Sequence, residues 1–236
     1  MSTHRHLLII IATLITAAAL PAQGQTQSKS KSQTQSQVQN QTQTHQKVPR
    51  QSRTEKEGLI SETYQVLASD TTVRDGNCEV FYRNQLIEKG LYRNGVKVGI
   101  WEYRNYHGVV EFRYNHTKQR PTYVVPHVGK TYKQTDYPCM YLGSPVRPYY
   151  YIMRKVFYPK AEQDNKKGGK VVLTFLVNAE GRMTGYRIKE ASTPNFAKAV
   201  ERVADEIPKD EWPWVPAYVN GKAAAGEYDM TIYFDN

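Results

Sequence analysis

The chain has 236 residues, with 32 Lys and Arg against 22 Asp and Glu, a formal net charge of +10. The excess is not a clustered basic patch of the kind nucleic acid requires: residues 25–57 hold six basic and two acidic residues, whereas 58–142 hold 11 and 8 and 143–236 hold 14 and 12. No Ser/His/Asp, Cys/His or paired-carboxylate arrangement is legible, Cys78 and Cys139 lack C-x-x-C spacing, and His107, His116 and His127 lack metal-ligand spacing. The composition therefore predicts no enzyme, no metal, no cofactor and no nucleic-acid partner, and the histidines read as scattered surface residues.

Residues 1–24 open with Arg5 and two histidines, followed by an apolar run from Leu7 to Leu20. Ala22 and Gly24 stand at the small-residue spacing of a cleavage site. The run is somewhat short for a membrane span, which takes about 17–25 apolar residues. The segment reads as a signal peptide, with an uncleaved anchor over residues 7–22 as the alternative. In both cases the remainder is exported.

Residues 25–57, "QTQSKSKSQTQSQVQNQTQTHQ" and its continuation, are rich in Gln, Ser and Thr and almost devoid of apolar side chains. Such a stretch cannot bury enough surface to offset its ordering entropy, and it reads as a disordered tether. As a flexible coil it averages about 30 Å end to end. Its lysines suit electrostatic contact with anionic lipid or cell wall. In an oxidising compartment Cys78 and Cys139 are candidates for a disulfide, which would stabilise the fold by about 4 kcal/mol in the chain-entropy model. Sequence alone leaves open whether they meet.

Residues 58–141 read as a small β-meander followed by a linker. Asn94-Gly95 is a hairpin signal, and Gly108 marks a second turn. Trp101 and Tyr103, then Val110, Phe112 and Tyr114, alternate at the two-residue period of half-buried strands. "GLYRNGVKVGIWEYRNYHG" resembles a MORN-type repeat through Tyr92, Asn94, Gly95, Lys97, Gly99, Trp101 and Tyr103. Only one repeat is clear over about 30 residues, so the resemblance implies MORN-type hairpins serving as a spacer, or a contact module for proteins or lipids. Residues 115–142, with Pro121, Pro126 and Pro138, read as a linker lying against the meander.

Residues 142–236 predict an α+β domain. Ile152, Val156 and Phe157 fit a short helical turn, and Tyr158-Pro159 begins another. Val171, Leu173, Phe175 and Val177 line one strand face, with Val172 and Leu176 partly covering the other. Asn178 to Gly181 is a hairpin loop, after which Tyr186 and Ile188 face inward. Thr193 caps a helix with Pro194 at its first position, and Phe196, Ala199, Val200, Val203 and Ile207 form its buried stripe. Asn220-Gly221 makes a tight turn, and Tyr228, Met230, Ile232 and Phe234 alternate in a closing strand. The order helix, strand, strand, helix, strand gives a small antiparallel sheet with its helices on one side.

This order, with "YPKA", "GGKVVLTFLVNAEGRMTGYRI", "WPWVPAYVNGKAAAGEYDMTIYF", is similar to the TonB C-terminal domain family. Tyr158, Pro159, Gly169, Val171, Phe175, Val177, Gly181, Trp214, Pro216, Asn220, Gly221, Lys222 and Phe234 fall on the family pattern, although Ala161 stands one place early. The resemblance implies a non-enzymatic energy transducer in the periplasm. Its partner would be an outer-membrane TonB-dependent receptor, whose TonB-box peptide adds as a strand to an exposed edge. Inner-membrane proton-driven motor proteins are a further partner, and the chain itself a candidate homodimer. Tyr228, Asp229, Met230, Thr231, Ile232, Tyr233 and Phe234 are the candidate pairing segment. Two departures weaken transduction: the N-terminus looks cleavable, and the tether has Pro49 as its only proline. A soluble periplasmic adaptor without energy transduction is the alternative.

Overall fold

Local turn chemistry sets the first half of the molecule. Strands β1 (Arg50–Glu57), β2 (Ile60–Leu67), β3 (Arg74–Tyr82), β4 (Gln85–Arg93), β5 (Val96–Arg104), β6 (Val110–Asn115) and β7 (Arg120–Val124) pair antiparallel, in sequence order, as one seven-stranded sheet. Asn94 and Gly95 take φ of 49° and 80°, the paired positive values that a two-residue hairpin turn demands between β4 and β5. This is a computed structural model and describes residues 48–125 and 136–235. The expected leader, the tether up to residue 47 and His127 lie outside the described residues.

One face of the meander is apolar and buried. Val66, Cys78, Val80, Ile87, Trp101, Tyr103 and Phe112 form its core. On the other face, Thr63, Glu79, Lys89, Glu102 and Arg113 lie in register across five strands. Glu102 accepts from Arg113 at 2.9 Å and faces Lys89 at 3.4 Å. Burial opposes its ionisation, but hydrogen bonds from Arg113 and Arg104 and the charge of Lys89 prevail and hold its pKa at about 2.

Three expectations change here. Residues 115–142 read as a linker, yet Arg120–Val124 pairs with β6 as the last strand of the sheet. The tether was expected to be disordered through residue 57, yet Arg50–Glu57 is an edge strand with all eight residues exposed. It has no apolar face for a periodicity to reveal. Backbone pairing to β2 holds it, helped by Arg50 donating to Asp75 at 2.7 Å and a Thr54–Thr63 hydroxyl contact at 3.0 Å. His116 is also not a surface residue. It is half-buried, 2.8 Å from the Tyr103 hydroxyl, and burial with the nearby Lys97 charge pushes its pKa down to about 4.

The glycine and tryptophan of the MORN-like stretch meet across β4 and β5. A Cβ on Gly90 would lie 2.1 Å from the Trp101 ring, which is wholly buried and has no room to retreat. Gly90→Ala should therefore lower stability by at least the 1–3 kcal/mol or so typical of an overfilled core. A urea midpoint matching that of the unsubstituted chain would refute this packing.

The second half begins before residue 142. Strand β8 (Met140–Tyr141) precedes α1 (Val146–Lys155), α2 (Lys160–Asp164), β9 (Gly169–Val177), β10 (Met183–Ala191), α3 (Pro194–Asp205), β11 (Trp214–Val215), β12 (Ala217–Val219), β13 (Lys222–Ala224) and β14 (Gly226–Phe234). The main sheet runs β10-β9-β14, antiparallel throughout, with β8 pairing β11 and β12 pairing β13. Thr193 caps α3 by accepting from the Phe196 N–H at 3.2 Å, and Pro194 occupies the first turn as expected. Phe196, Val200 and Val203 are buried among Val171, Leu173, Phe175 and Ile232. The helical turn expected around Val156 and Phe157 ends earlier, at Lys155.

Cys139 and Tyr141 belong to this second core, so the boundary expected at 142 cuts into its packing. Met140, Val146 and Val215 join the meander core instead. The two cores thus share a short connecting segment.

Candidate functional site

The closing strand β14 is a long edge strand. It pairs with β9 over nine positions, from Gly226 opposite Val177 to Phe234 opposite Gly169. No described strand pairs along its other side. In an antiparallel ladder alternate residues aim their N–H and C=O away from the partner, so this side offers a row of backbone groups with no strand partner among the described residues.

The side chains of the expected pairing segment divide by face. Met230, Ile232 and Phe234 are buried, and Phe234 stacks on Phe196 with ring centroids 4.2 Å apart. Tyr228 is partly buried against Trp214 at 5.4 Å. These four complete the core. On the opposite face Asp229 accepts from the Thr174 hydroxyl at 2.7 Å and from Lys189 at 2.6 Å, while Arg187 meets Glu227 at 2.7 Å. Burial resists the Asp229 charge, but Lys189 and Thr174 hold its carboxyl below the usual range. Thr231 is half-buried, and Tyr233 is 54% exposed. The Lys189–Asp229 and Arg187–Glu227 pairs tie β10 to β14 across β9 on the exposed face of the sheet.

The cysteines are not joined in the structure. Both are free thiols, Cys78 buried in the meander core and Cys139 in the C-terminal core. Burial pushes the Cys139 thiol up to about 12, and burial together with the Glu62 carboxylate raises Cys78 as well. The expected disulfide therefore gives way to two separately packed side chains. Both thiols should resist alkylation in the folded chain and react after denaturation. A linked Cys78–Cys139 peptide in a non-reducing digest would overturn this.

A buried ion pair joins the two halves, and the sequence pattern did not reveal it. Glu88 on β4 is 1% exposed, and its Oε1 accepts from Arg147 Nε on α1 at 2.6 Å and from the Ser144 N–H at 3.0 Å. Ser144 Oγ in turn donates to the Arg104 carbonyl. At the rim the Leu59 N–H donates to the Tyr150 hydroxyl at 2.9 Å, and Arg154 meets Glu57 at 2.9 Å. The meander is thereby fixed to α1 within one compact unit.

Residues 154–235 match the family described as Gram-negative bacterial TonB protein C-terminal. Among solved structures, the chain is similar to the NMR solution structure of Helicobacter pylori TonB-CTD, with 23% identity over 38% of this chain and 90% of that one, at a TM-score of 0.25. No curated protein matches the chain. The matched residues contain α2, β9, β10, α3 and β14, so they include the open edge. They do not include the meander. No helix among the described residues is long and apolar enough to cross a membrane.

Proposed function

We propose that the chain is a non-enzymatic, TonB-like protein of the periplasm. Its β14 edge takes an extended segment of an outer-membrane transporter as an added strand, in support of energy-dependent transport. One observation carries this reading: the match to the TonB C-terminal family ends on a nine-residue strand whose outer side has no partner among the described residues. Affinity would come from main-chain hydrogen bonds, with Tyr233 and Thr231 beside the incoming strand.

The test is titration of the full chain with TonB-box peptides from receptors of the same organism, together with copies N-methylated at alternate residues. Each main-chain bond lost costs roughly 0.5–1.5 kcal/mol net, so two lost bonds weaken binding about tenfold or more. One methylation register should show that loss and the other should not, because only one set of N–H groups faces β14. Thr231→Pro should also weaken binding, with circular dichroism confirming that the sheet survives. If no peptide binds the unsubstituted chain, the transducer reading fails. If peptides bind but the mature N-terminus is cleaved after residue 24, the soluble adaptor replaces it.

A further inference from the structure

A groove of about 420 Å³ lies between the Phe157–Ala161 segment and the outer side of α3. That volume falls within the roughly 300–1,000 Å³ range of ligand pockets. Its charged lining consists of Lys160, Lys198 and Arg202, with no carboxylate among the lining residues. Lys198 and Arg202 have no carboxylate within ion-pair distance among the described residues; Lys160 pairs only with Asp164, at 3.1 Å, where both side chains are exposed. Such an exposed pair contributes little and yields readily to a competing anion.

The apolar part of the groove is unusual. Phe157 is 70% exposed, more than any other large hydrophobic residue described. Its ring is not idle, for the Arg202 guanidinium lies 5.0 Å from its centroid. The adjoining Tyr158 is fixed: its hydroxyl donates to the Lys167 carbonyl at 2.8 Å, and its ring packs 5.6 Å from both Phe196 and Phe234. Ala199 also lines the groove. A single exposed Phe means little. An exposed ring flanked by three cations, beside a fixed Tyr158, is a different object.

We propose that this groove is a second docking site, for an acidic peptide segment that carries an apolar side chain. The carboxylates would meet Lys198, Arg202 and Lys160, while the apolar side chain would lie against Phe157 above Ala199. Charge complementarity selects the occupant: the lining offers an acidic segment three cations and no repelling carboxylate. An exposed aromatic ring beside three cations suits a segment that offers both carboxylates and an apolar side chain, and an anionic membrane surface is the competing outcome of the test. The proposal does not depend on strand addition at β14.

The test uses the full chain and a fluorescein-labelled, end-blocked Glu-Leu-Glu-Phe-Glu peptide, read by anisotropy at low salt. Saturable binding is expected, weakening as salt rises. Lys198→Glu with Arg202→Glu should reduce affinity by about tenfold or more, and Phe157→Ser by about fivefold, amounts in keeping with two exposed ion pairs and one small apolar contact. Both cations are exposed, so the variant should fold as the parent does, which circular dichroism checks. Thr231→Pro should leave this binding unchanged. The proposal is overturned if the acidic peptide does not saturate, if the charge-reversed variant binds it as well as the parent, or if the variant loses only binding to phosphatidylglycerol vesicles. The last result would mark a membrane surface instead.

Discussion

Val200→Asp should leave the C-terminal half without a cooperative unfolding transition. Val200 is wholly buried on α3, in a core with Leu173, Phe175 and Ile232. The substitution removes about 1.5–3 kcal/mol of side-chain burial. It also places a carboxylate among apolar side chains, which costs several kcal/mol more or forces the group to protonate. The sum rivals the roughly 5–15 kcal/mol that keeps a typical domain folded. Trp212 and Trp214 pack against Phe175 at 5.6 and 5.4 Å, so their fluorescence should shift to that of exposed indole. Lys198→Ser, on the exposed side of the same helix, is the control and should change stability by no more than about 0.5 kcal/mol. A soluble Val200→Asp chain with a sharp urea transition would refute the packing of α3 on the sheet.

That helix was legible because its signals are local. A capping Thr193, Pro194 behind it and a stripe at helical spacing all lie within fifteen residues. The hairpins were legible for the same reason: Asn94-Gly95 and Asn220-Gly221 both adopt the positive φ that their residue types favour. β1 was not legible, since a strand held by backbone pairing and polar side-chain contacts leaves no trace in apolar periodicity. Glu88 was hidden differently. The β3–β4 register slips between Val80 and Phe81, so Ile87 and Glu88 are both buried, and a two-residue period places one of any such pair outside. The candidate strand itself could be read from Tyr228, Met230, Ile232 and Phe234. Its open edge could not, because that follows from β9 occupying the middle of the sheet. The cysteines show the same limit: two thiols in an exported chain suggest a bridge, but only the fold places them in separate cores.

Arg147→Ala should destabilise the chain by about 3–5 kcal/mol, the cost typical of breaking a buried ion pair from one side. The side chain of Arg147 is 34% exposed, so the loss of its own contacts is the smaller part. The larger part is the partner left behind, since the Glu88 side chain is 2% exposed and would keep only the Ser144 N–H as a donor to Oε1. Glu88 lies on β4 and Arg147 on α1, so the penalty falls on the union of the two halves. The rim contacts do not compensate, because Arg154 and Glu57 are 50% and 83% exposed and such pairs contribute about 0–1 kcal/mol. Trp101 reports on the meander core and Trp212 with Trp214 on the other. In one version of the Arg147→Ala chain that keeps only Trp101 and another that keeps only Trp214, the two probes should move to lower urea together if the pair joins one cooperative unit. Glu88→Leu combined with Arg147→Met should recover most of the loss, because it removes both charges and fills the space with apolar atoms. A loss below about 1 kcal/mol in the single variant, less than a third of the low end for a buried pair, would mean that water reaches Glu88 and that the two halves are held by their shared apolar contacts alone.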